Sequence, residues 1–408
     1  MKINKFIIIT VLFIAITSGE GILEAKPRTA RIKQSKKALI QNRKKGDKSM
    51  TTKIKQPFAS PLLNSHFQEP LQAKGILDKK IHTDTDPFTT SPKSLLLFDE
   101  RHLIIDYQSI VLLVDIQRGI IKSKRNKSSN IFISATPSTI YSGNNQLEPF
   151  TITDFETSEE NYFIPGIGSY SSLLLLIPFE DFFIAGSQNW GNPKYPDPSF
   201  MLVSRMYPGS RSHWKLEFEG TITQPPVSPD GNIYIMEENT VLIIDKDGKK
   251  LNEHKGSFSP ISGSIGKDGV VYLLLSDNKG LFLRTLDKGG KILWEYRTAL
   301  SNIVQPPATS SNQNVYLAGK MRLECINKGQ KLWEYNFPGF SGNPLFASIS
   351  SNDLVVLSKG NRIVCLDSDG NEEWDYTDEE GEILLTQPIF DTSGRVITAS
   401  NKNIVIIK

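Results

Sequence analysis

The chain contains 408 residues, of which 38% are hydrophobic and 22% are charged, and its formal net charge is +3. This composition is typical of a globular protein, and the length is sufficient for one large domain. The 2 cysteines are too few for a fold that depends on disulfides. Composition therefore excludes a small disulfide scaffold and a fully disordered chain.

The N-terminus has the layout of a secretory signal peptide. Lys2 and Lys5 precede the apolar stretch Phe6–Ile16, and small residues follow it. Because this stretch is short for a membrane span, we expect residues 1–25 to be removed on export, with cleavage after Gly19 as an alternative. The expected location is the periplasm or the outside of the cell, and a signal anchor in the inner membrane is the alternative.

Residues 26–55 form a strongly basic segment. They contain 12 Lys or Arg residues, including the run Arg43, Lys44 and Lys45, against 1 acidic residue. Like charges at this density repel one another, so we expect a disordered arm. It could attract an anionic membrane surface, a polyanion or an acidic partner, or it could be a solvated tail without a role.

The rest of the chain is acidic. After residue 55 there remain 33 basic and 41 acidic residues, a net charge of −8, which argues against specific nucleic-acid binding by this part. Residues 56–93 contain 5 prolines among Ser, Thr and Asp residues, and they are predicted to be an extended linker.

A pattern recurs in the second half of the chain with a period near forty residues. A turn rich in Asp and Gly is followed by an aromatic position, and successive aromatic positions are 38, 42, 39 and 41 residues apart. These positions hold Trp214, Asn252, Trp294, Trp333 and Trp374. A Pro-containing segment and an apolar run recur in step with them, so the chain is built from repeats.

Each repeat is predicted to be a four-stranded antiparallel sheet. The repeat that begins near residue 306 divides into Pro306–Ser310, Val315–Gly319, Arg322–Asn327 and Lys331–Asn336, separated by turn residues. The apolar runs occupy successive positions, which indicates burial on both faces.

Sheets that are buried on both faces predict an all-β fold, a β-propeller with eight blades or alternatively seven, over residues 94–408. Since an outer strand is missing after Lys408, we expect a strand near Gly75–Asp78 to complete the last blade.

The repeat resembles the tryptophan-docking motif of pyrroloquinoline-quinone (PQQ) type propellers. The closest stretch runs from Cys365 through Asp367 and Gly370 to Trp374, one residue shorter than the family's spacing. In that family the tryptophan packs against the turn of the adjacent blade. The resemblance therefore implies this structural docking role for Trp214, Trp294, Trp333 and Trp374.

The family includes quinoprotein dehydrogenases and the non-enzymatic propeller of the outer-membrane β-barrel assembly machinery. The sequence has no adjacent cysteine pair and no carboxylate-rich calcium site of the enzymes. The resemblance therefore points to the non-enzymatic branch without a cofactor, although the cysteine of the lipoprotein member is missing here.

No residue is predicted to be catalytic or to bind a metal or a cofactor. Cys325 and Cys365 are one repeat apart and are expected to be buried small hydrophobic residues. The aspartates resemble fragments of calcium loops but are explained as turn residues, and the histidines lack metal spacing. The aspartates are Asp245, Asp247, Asp367 and Asp369, and the histidines are His66, His82, His102, His213 and His254.

Three glutamines, Gln224, Gln305 and Gln387, precede the prolines of the predicted inner strands. They could line the mouth of an axial channel, but their recurrence favours a structural role.

The main departure from the repeat is an insertion at residues 187–198, between the second and third strands of its repeat. Asn189, Trp190, Lys194 and Tyr195 lie in it, and aromatic side chains on a proline-stiffened loop are typical of binding sites. The insertion is predicted to bind a partner, or alternatively to fold back as a plug.

The predicted function is a non-catalytic protein-binding scaffold of the bacterial cell envelope, with another envelope protein as its partner. One alternative is a propeller enzyme with a site in the axial channel. A second alternative is a surface adhesin that binds a polyanionic matrix through the basic arm.

Overall fold

A computed structural model of the chain provides the fold. It describes residues 71–83, 92–97, 100–107, 110–126, 231–237, 239–266, 268–339 and 344–408, together with the strands between residues 132 and 223. These residues belong to one compact unit, Lys55–Lys408. Among them there is no helix long and apolar enough to cross a membrane.

The described structure consists of β-strands and turns. The strands before residue 224 are β1 (Leu77–His82), β2 (Pro92–Leu97), β3 (His102–Tyr107), β4 (Ile110–Asp115), β5 (Ile120–Asn126), β6 (Phe132–Thr136), β7 (Thr139–Gly143), β8 (Phe150–Asp154), β9 (Glu160–Phe163), β10 (Ser171–Pro178), β11 (Phe183–Asn189), β12 (Phe200–Met206), β13 (Trp214–Glu219) and β14 (Ile222–Thr223).

The later strands continue in the same order. They are β15 (Ile233–Glu237), β16 (Thr240–Ile244), β17 (Lys250–Lys255), β18 (Ser259–Ile265), β19 (Val271–Asp277), β20 (Gly280–Leu286), β21 (Ile292–Arg297), β22 (Ala308–Thr309), β23 (Val315–Ala318), β24 (Arg322–Asn327), β25 (Gln330–Asn336), β26 (Phe346–Ile349), β27 (Val355–Lys359), β28 (Arg362–Leu366), β29 (Glu372–Thr377), β30 (Ile389–Phe390), β31 (Val396–Ala399) and β32 (Asn403–Ile407).

The described strands form eight four-stranded sheets. Sheets 1 to 7 are runs of four consecutive strands, from β2–β5 through β26–β29, and sheet 8 has the order β1-β32-β31-β30. All pairings are antiparallel, as in the pairing of β23 with β24. The chain is the all-β propeller that the repeats predict.

Turn chemistry accounts for the strand ends of one repeat. The third strand, Arg322–Asn327, has the predicted bounds, and the fourth begins at Gln330, after a two-residue turn. Lys328 and Gly329 in this turn have φ values of 47° and 79°, a tight hairpin geometry that requires positive φ at both positions. The first strand is only Ala308–Thr309, because the preceding prolines cannot donate ladder hydrogen bonds.

The last sheet is completed by an N-terminal strand. β1 pairs antiparallel with β32, with Ile81 opposite Ile404. The ends are held by two hydrogen bonds, from the Ile76 amide to the Lys408 carbonyl oxygen at 3.0 Å and from the Lys408 amide to the Ile76 oxygen at 2.8 Å. The strand expected near Gly75–Asp78 therefore exists.

Strand residues also lie within the range that the sequence assigned to a linker. The expected linker covers residues 56–93, yet β1 lies inside it and β2 begins at Pro92. Leu71 and Ala73 are buried as well. The folded part thus begins before residue 94. Its first strand, β1, contains few apolar residues, so the sequence gives little sign of it.

The core lies between neighbouring sheets. Tyr316 and Leu323 of sheet 6 pack in one cluster with Val355 and Leu357 of sheet 7, and all four side chains are fully buried. All of β27 is buried, as expected for strands covered on both faces. Sheet 8 packs against sheet 1 in the same manner.

Candidate functional site

The order of strands gives each sheet two different ends. In an antiparallel sheet of consecutive strands, the second-to-third connection lies at one end, and the first-to-second and third-to-fourth connections lie at the other. We call the first end the loop end and the second end the turn end. Any site built from connections belongs to one of these two ends.

The insertion lies at the loop end of sheet 3. β11 ends at Asn189 and β12 begins at Phe200, so residues 190–199 connect them. In the other seven sheets the corresponding connections are residues 108–109, 144–149, 238–239, 278–279, 319–321, 360–361 and 400–402. The segment 190–199 is the longest second-to-third connection between the described strands.

The predicted bounds of the insertion are too wide at its start. Ser187 to Asn189 belong to β11, and Asn189 pairs with Phe200, so this part continues the sheet as ladder residues. Trp190, Lys194 and Tyr195 lie outside the described residues, as do Arg43, Lys44 and Lys45 of the basic arm.

At the turn end, tryptophans contact the turns of neighbouring sheets. The Trp333 indole Nε1 donates a hydrogen bond to the Ser368 carbonyl oxygen at 2.8 Å. Gly370 in the same turn has φ +89°, and a Cβ placed there would lie 2.9 Å from the Trp333 ring. Only glycine combines this backbone conformation with so close an approach of the ring.

Equivalent contacts recur in the neighbouring sheets. Trp294 lies against Gly329, and Trp374 lies against Gly75 at the start of the closing segment. Trp214 is the first residue of β13, and its side chain lies outside the described residues. The Asn252 side-chain amide replaces the indole in its repeat and donates to the Gly289 oxygen at 3.1 Å.

Sequence reasoning missed one member of this series, Lys79. A Cβ at Gly119 would lie 3.0 Å from the Lys79 side chain, and Lys79 Nζ donates to the Gln117 oxygen at 2.8 Å. Lys79 follows Gly75 at the same spacing that separates Gly370 from Trp374. The spacing from the turn glycine was the available signal, but the position is not aromatic.

The aspartates of the turns bind backbone amides. Asp367 Oδ1 accepts from the amides of Asp369 and Asn371, both at 2.8 Å, and Asp245 makes the same pair of contacts in its repeat. Burial raises the pKa of Asp367, but the hydrogen bonds from Asn371 and the other turn amides outweigh it and lower the pKa overall. Within the described residues there is no metal-ligating cluster of three or more His, Cys, Asp or Glu.

The two cysteines and the described histidines have structural surroundings. Cys325 and Cys365 are buried and form no disulfide. Burial raises the pKa of both thiols to about 12, which keeps them protonated and unreactive. His254 contacts the Gly290 carbonyl oxygen, and His82 Nδ1 lies 3.2 Å from Asn403 Oδ1.

The glutamines connect inner strands. Gln305 Nε2 donates to the Ala347 oxygen at 3.0 Å, and the Ala347 amide donates back to Gln305 Oε1 at 2.9 Å. Gln387 Nε2 donates to the same oxygen at 3.0 Å. These two side chains therefore join the innermost parts of sheets 6, 7 and 8, whereas Gln224 lies outside the described residues.

The comparisons with known proteins bear on the family. Residues 319–407 match the family model for PQQ-type repeats described as outer membrane protein assembly factor BamB. Over these residues the chain is similar to PQQ-type repeats. The resemblance that the tryptophan-docking motif indicates is thus confirmed. None of the curated proteins matches this chain.

The solved structures to which this chain is similar have low sequence identity. A streptogramin B lyase structure is 14% identical with a TM-score of 0.42, covering 67% of this chain and 91% of that chain. Kluyveromyces lactis Hsv2 with complete loop 6CD is 9% identical with a TM-score of 0.48, covering 71% and 98%. A Bacteroides caccae protein of unknown function is 12% identical with a TM-score of 0.38, covering 65% and 83%.

Proposed function

We propose that this propeller is a non-catalytic protein-binding scaffold of the bacterial cell envelope, and that its partner is another envelope protein. The observation that carries the proposal is the match of residues 319–407 to the repeat model described for an outer membrane assembly factor. The signal-peptide layout of residues 1–25 supports export to the same compartment.

The proposed contact with the partner is the segment 190–199 at the loop end of sheet 3. It is long where the other sheets have short connections, and it contains Trp190 and Tyr195 among prolines. Aromatic side chains bury much area for little conformational entropy, and prolines lower the entropy lost on binding. Asn189 and Lys194 would add polar contacts at the rim of this site.

A capture experiment tests the proposal. The full mature chain and the variant Trp190→Ala/Tyr195→Ala are used as baits in envelope extract at moderate salt. The control variant Trp190→Phe/Tyr195→Phe keeps an aromatic ring at both positions. We expect a specific envelope protein to be retained by wild type and by the Phe variant, and to be lost by the Ala variant.

Salt separates this site from the basic arm. Capture through Arg43, Lys44, Lys45 and their neighbours should decrease steeply between low and moderate salt, whereas aromatic contacts persist. If all three baits retain the same material, the segment 190–199 is not the binding site. If nothing is retained above low salt, the basic arm accounts for the binding and the scaffold proposal fails.

A further inference from the structure

Exposed hydrophobic side chains are concentrated at the turn end of the sheets. Among the described residues, 10 large hydrophobic side chains are exposed, and 7 of them lie within three residues after the glycine of a third-to-fourth turn or its equivalent. They are Ile76, Leu77, Ile120, Leu251, Ile292, Leu293 and Leu332. Scattered exposed leucines are ordinary, but a repeated position indicates a surface with a role.

Three consecutive sheets carry the most regular part of this surface. Leu251, Leu293 and Leu332 of sheets 4, 5 and 6 each directly precede the docking position of their repeat. They are 44%, 48% and 55% exposed. Successive side chains of a strand point to opposite faces, so the docking residue turns towards the neighbouring sheet while the leucine faces solvent.

Lysines surround these leucines. The turn segments 245–251, 287–293 and 327–332 contain 7 lysines and 3 aspartates, and all 7 lysines are exposed. Two of the aspartates, Asp245 and Asp287, direct a carboxylate oxygen at backbone amides of their own turns. We call these three segments together the turn rim. Lys250 and Lys331 form ion pairs with Glu253 and Glu334 just outside it, and the other lysines leave the turn rim basic, although the chain after residue 55 has a net charge of −8.

The adjacent sheet shows where the turn rim ends. In sheet 7 the corresponding segment, 367–373, contains four acidic residues and no lysine or large hydrophobic residue after Gly370. Glu372 and Glu373 occupy the positions that Lys250 and Leu251 hold in sheet 4. The same turn thus carries acidic residues in sheet 7 and basic and apolar residues in sheets 4 to 6, so the fold does not require the composition of the turn rim.

We propose that the turn rim binds the surface of an anionic lipid membrane. The transfer of exposed leucines from water into the interfacial region of a membrane is favourable, and lysines beside them are attracted to negatively charged headgroups. The residues repeat at the same end of three consecutive sheets, an arrangement that suits an extended surface better than a single pocket. The turn rim lies at the end opposite the segment 190–199, so membrane and protein partner do not compete for one surface.

Vesicle binding tests this proposal with the full mature chain. The probes are vesicles of equal parts phosphatidylcholine and phosphatidylglycerol, and vesicles of phosphatidylcholine alone. We expect binding that needs phosphatidylglycerol and decreases with salt. The variant Lys249→Gln/Lys291→Gln/Lys328→Asn should bind more weakly, by about fivefold for each lysine.

A leucine variant and a matched control identify the apolar contribution. Leu251→Ser/Leu293→Ser/Leu332→Ser should bind at least about tenfold more weakly, because three side chains no longer enter the interface. Glu372→Gln/Glu373→Gln changes the same turn positions in sheet 7 and should not weaken binding. Unchanged thermal unfolding of each variant shows that the fold is retained.

Hydrogen exchange separates the turn rim from the basic arm, which all variants retain. Vesicles should slow exchange in residues 249–251, 291–293 and 330–332 but not in residues 371–373. The proposal is overturned if protection is confined to residues 26–55, if the leucine variant binds like wild type, or if no binding to phosphatidylglycerol occurs. Full competition by soluble polyglutamate, with no effect of the leucines, would instead identify an acidic macromolecule as the occupant.

Discussion

The contact between a tryptophan and a turn glycine is the smallest unit of this fold. Trp333 lies on the outer strand of sheet 6 and contacts the turn at Gly370 in sheet 7 through one hydrogen bond and its ring. The same contact recurs from Trp294 to Gly329 and from Trp374 to Gly75. Each one links two sheets that share no strand pairing, so these residues hold the periphery of the propeller together.

Gly370→Ala should destabilise the propeller by about 2–4 kcal/mol. A non-glycine residue at positive φ costs about 1–3 kcal/mol, and the added methyl group would also displace the Trp333 ring, which lies 2.9 Å from the Cβ position. Urea unfolding followed by tryptophan fluorescence measures the change.

Gly381→Ala is the matched control for that substitution. Gly381 has φ +72° but nothing within 4 Å of its Cβ position, so it reports the backbone cost alone. Equal losses of stability for the two variants would show that the Trp333 contact contributes nothing.

Sequence reasoning reached most of these residues but not all. The aromatic ladder identified Trp294, Trp333 and Trp374 because large aromatics at a fixed period are conspicuous. Lys79 performs the same function with an aliphatic chain and an ammonium group, and its side-chain type gives no such signal. A repeat position is therefore better identified by its distance from the turn glycine than by residue type.

At the scale of strands, β1 determines how the propeller closes. It supplies the outer strand of sheet 8 and brings Ile81 into a cluster with residues of sheet 1, including Leu103 and Leu112. Its sequence does not alternate clearly and contains three charged residues, because Ile81 is its only buried residue. That is why the sequence indicated a linker here, and only the missing outer strand after Lys408 pointed to it.

Ile81→Ala should lower the free energy of unfolding by about 2–4 kcal/mol, because Ile81 is 4% exposed in the contact between sheets 8 and 1. Ile76→Ala, one strand-length earlier and 56% exposed, should change it by less than about 0.5 kcal/mol. Urea unfolding compares the two variants. Similar small effects would mean that β1 does not close the fold.

Strand bounds were predictable where residues that favour tight turns lie between two strands. Lys328 and Gly329 set the ends of two strands to within one residue of the prediction. The inner strand of this repeat was predicted too long, as Pro306–Ser310, because Pro306 and Pro307 shorten the ladder to Ala308–Thr309. The start of the insertion was also placed too early, because Ser187 and Asn189 are residue types typical of turns, yet both pair with β12.

For the whole molecule, the two ends of the sheets carry different chemistry. The loop end has the segment 190–199, and the turn end has the turn rim of exposed leucines and lysines. Repeats conserve the internal contacts of every sheet, so differences between repeats are where binding can be encoded. Sequence alone could mark the insertion as a departure, but it could not show that Leu251, Leu293 and Leu332 are exposed at one end.

Site-specific photocrosslinking in intact envelopes tests the central claim most directly. A photoreactive amino acid is placed at Trp190, at Tyr195 and, as a control at the turn end, at Gln330. The scaffold account predicts one discrete protein adduct from positions 190 and 195, which persists at moderate salt and is absent at 330. The same set of protein adducts at all three positions, or no adduct at positions 190 and 195, would contradict a protein-binding site at the loop end.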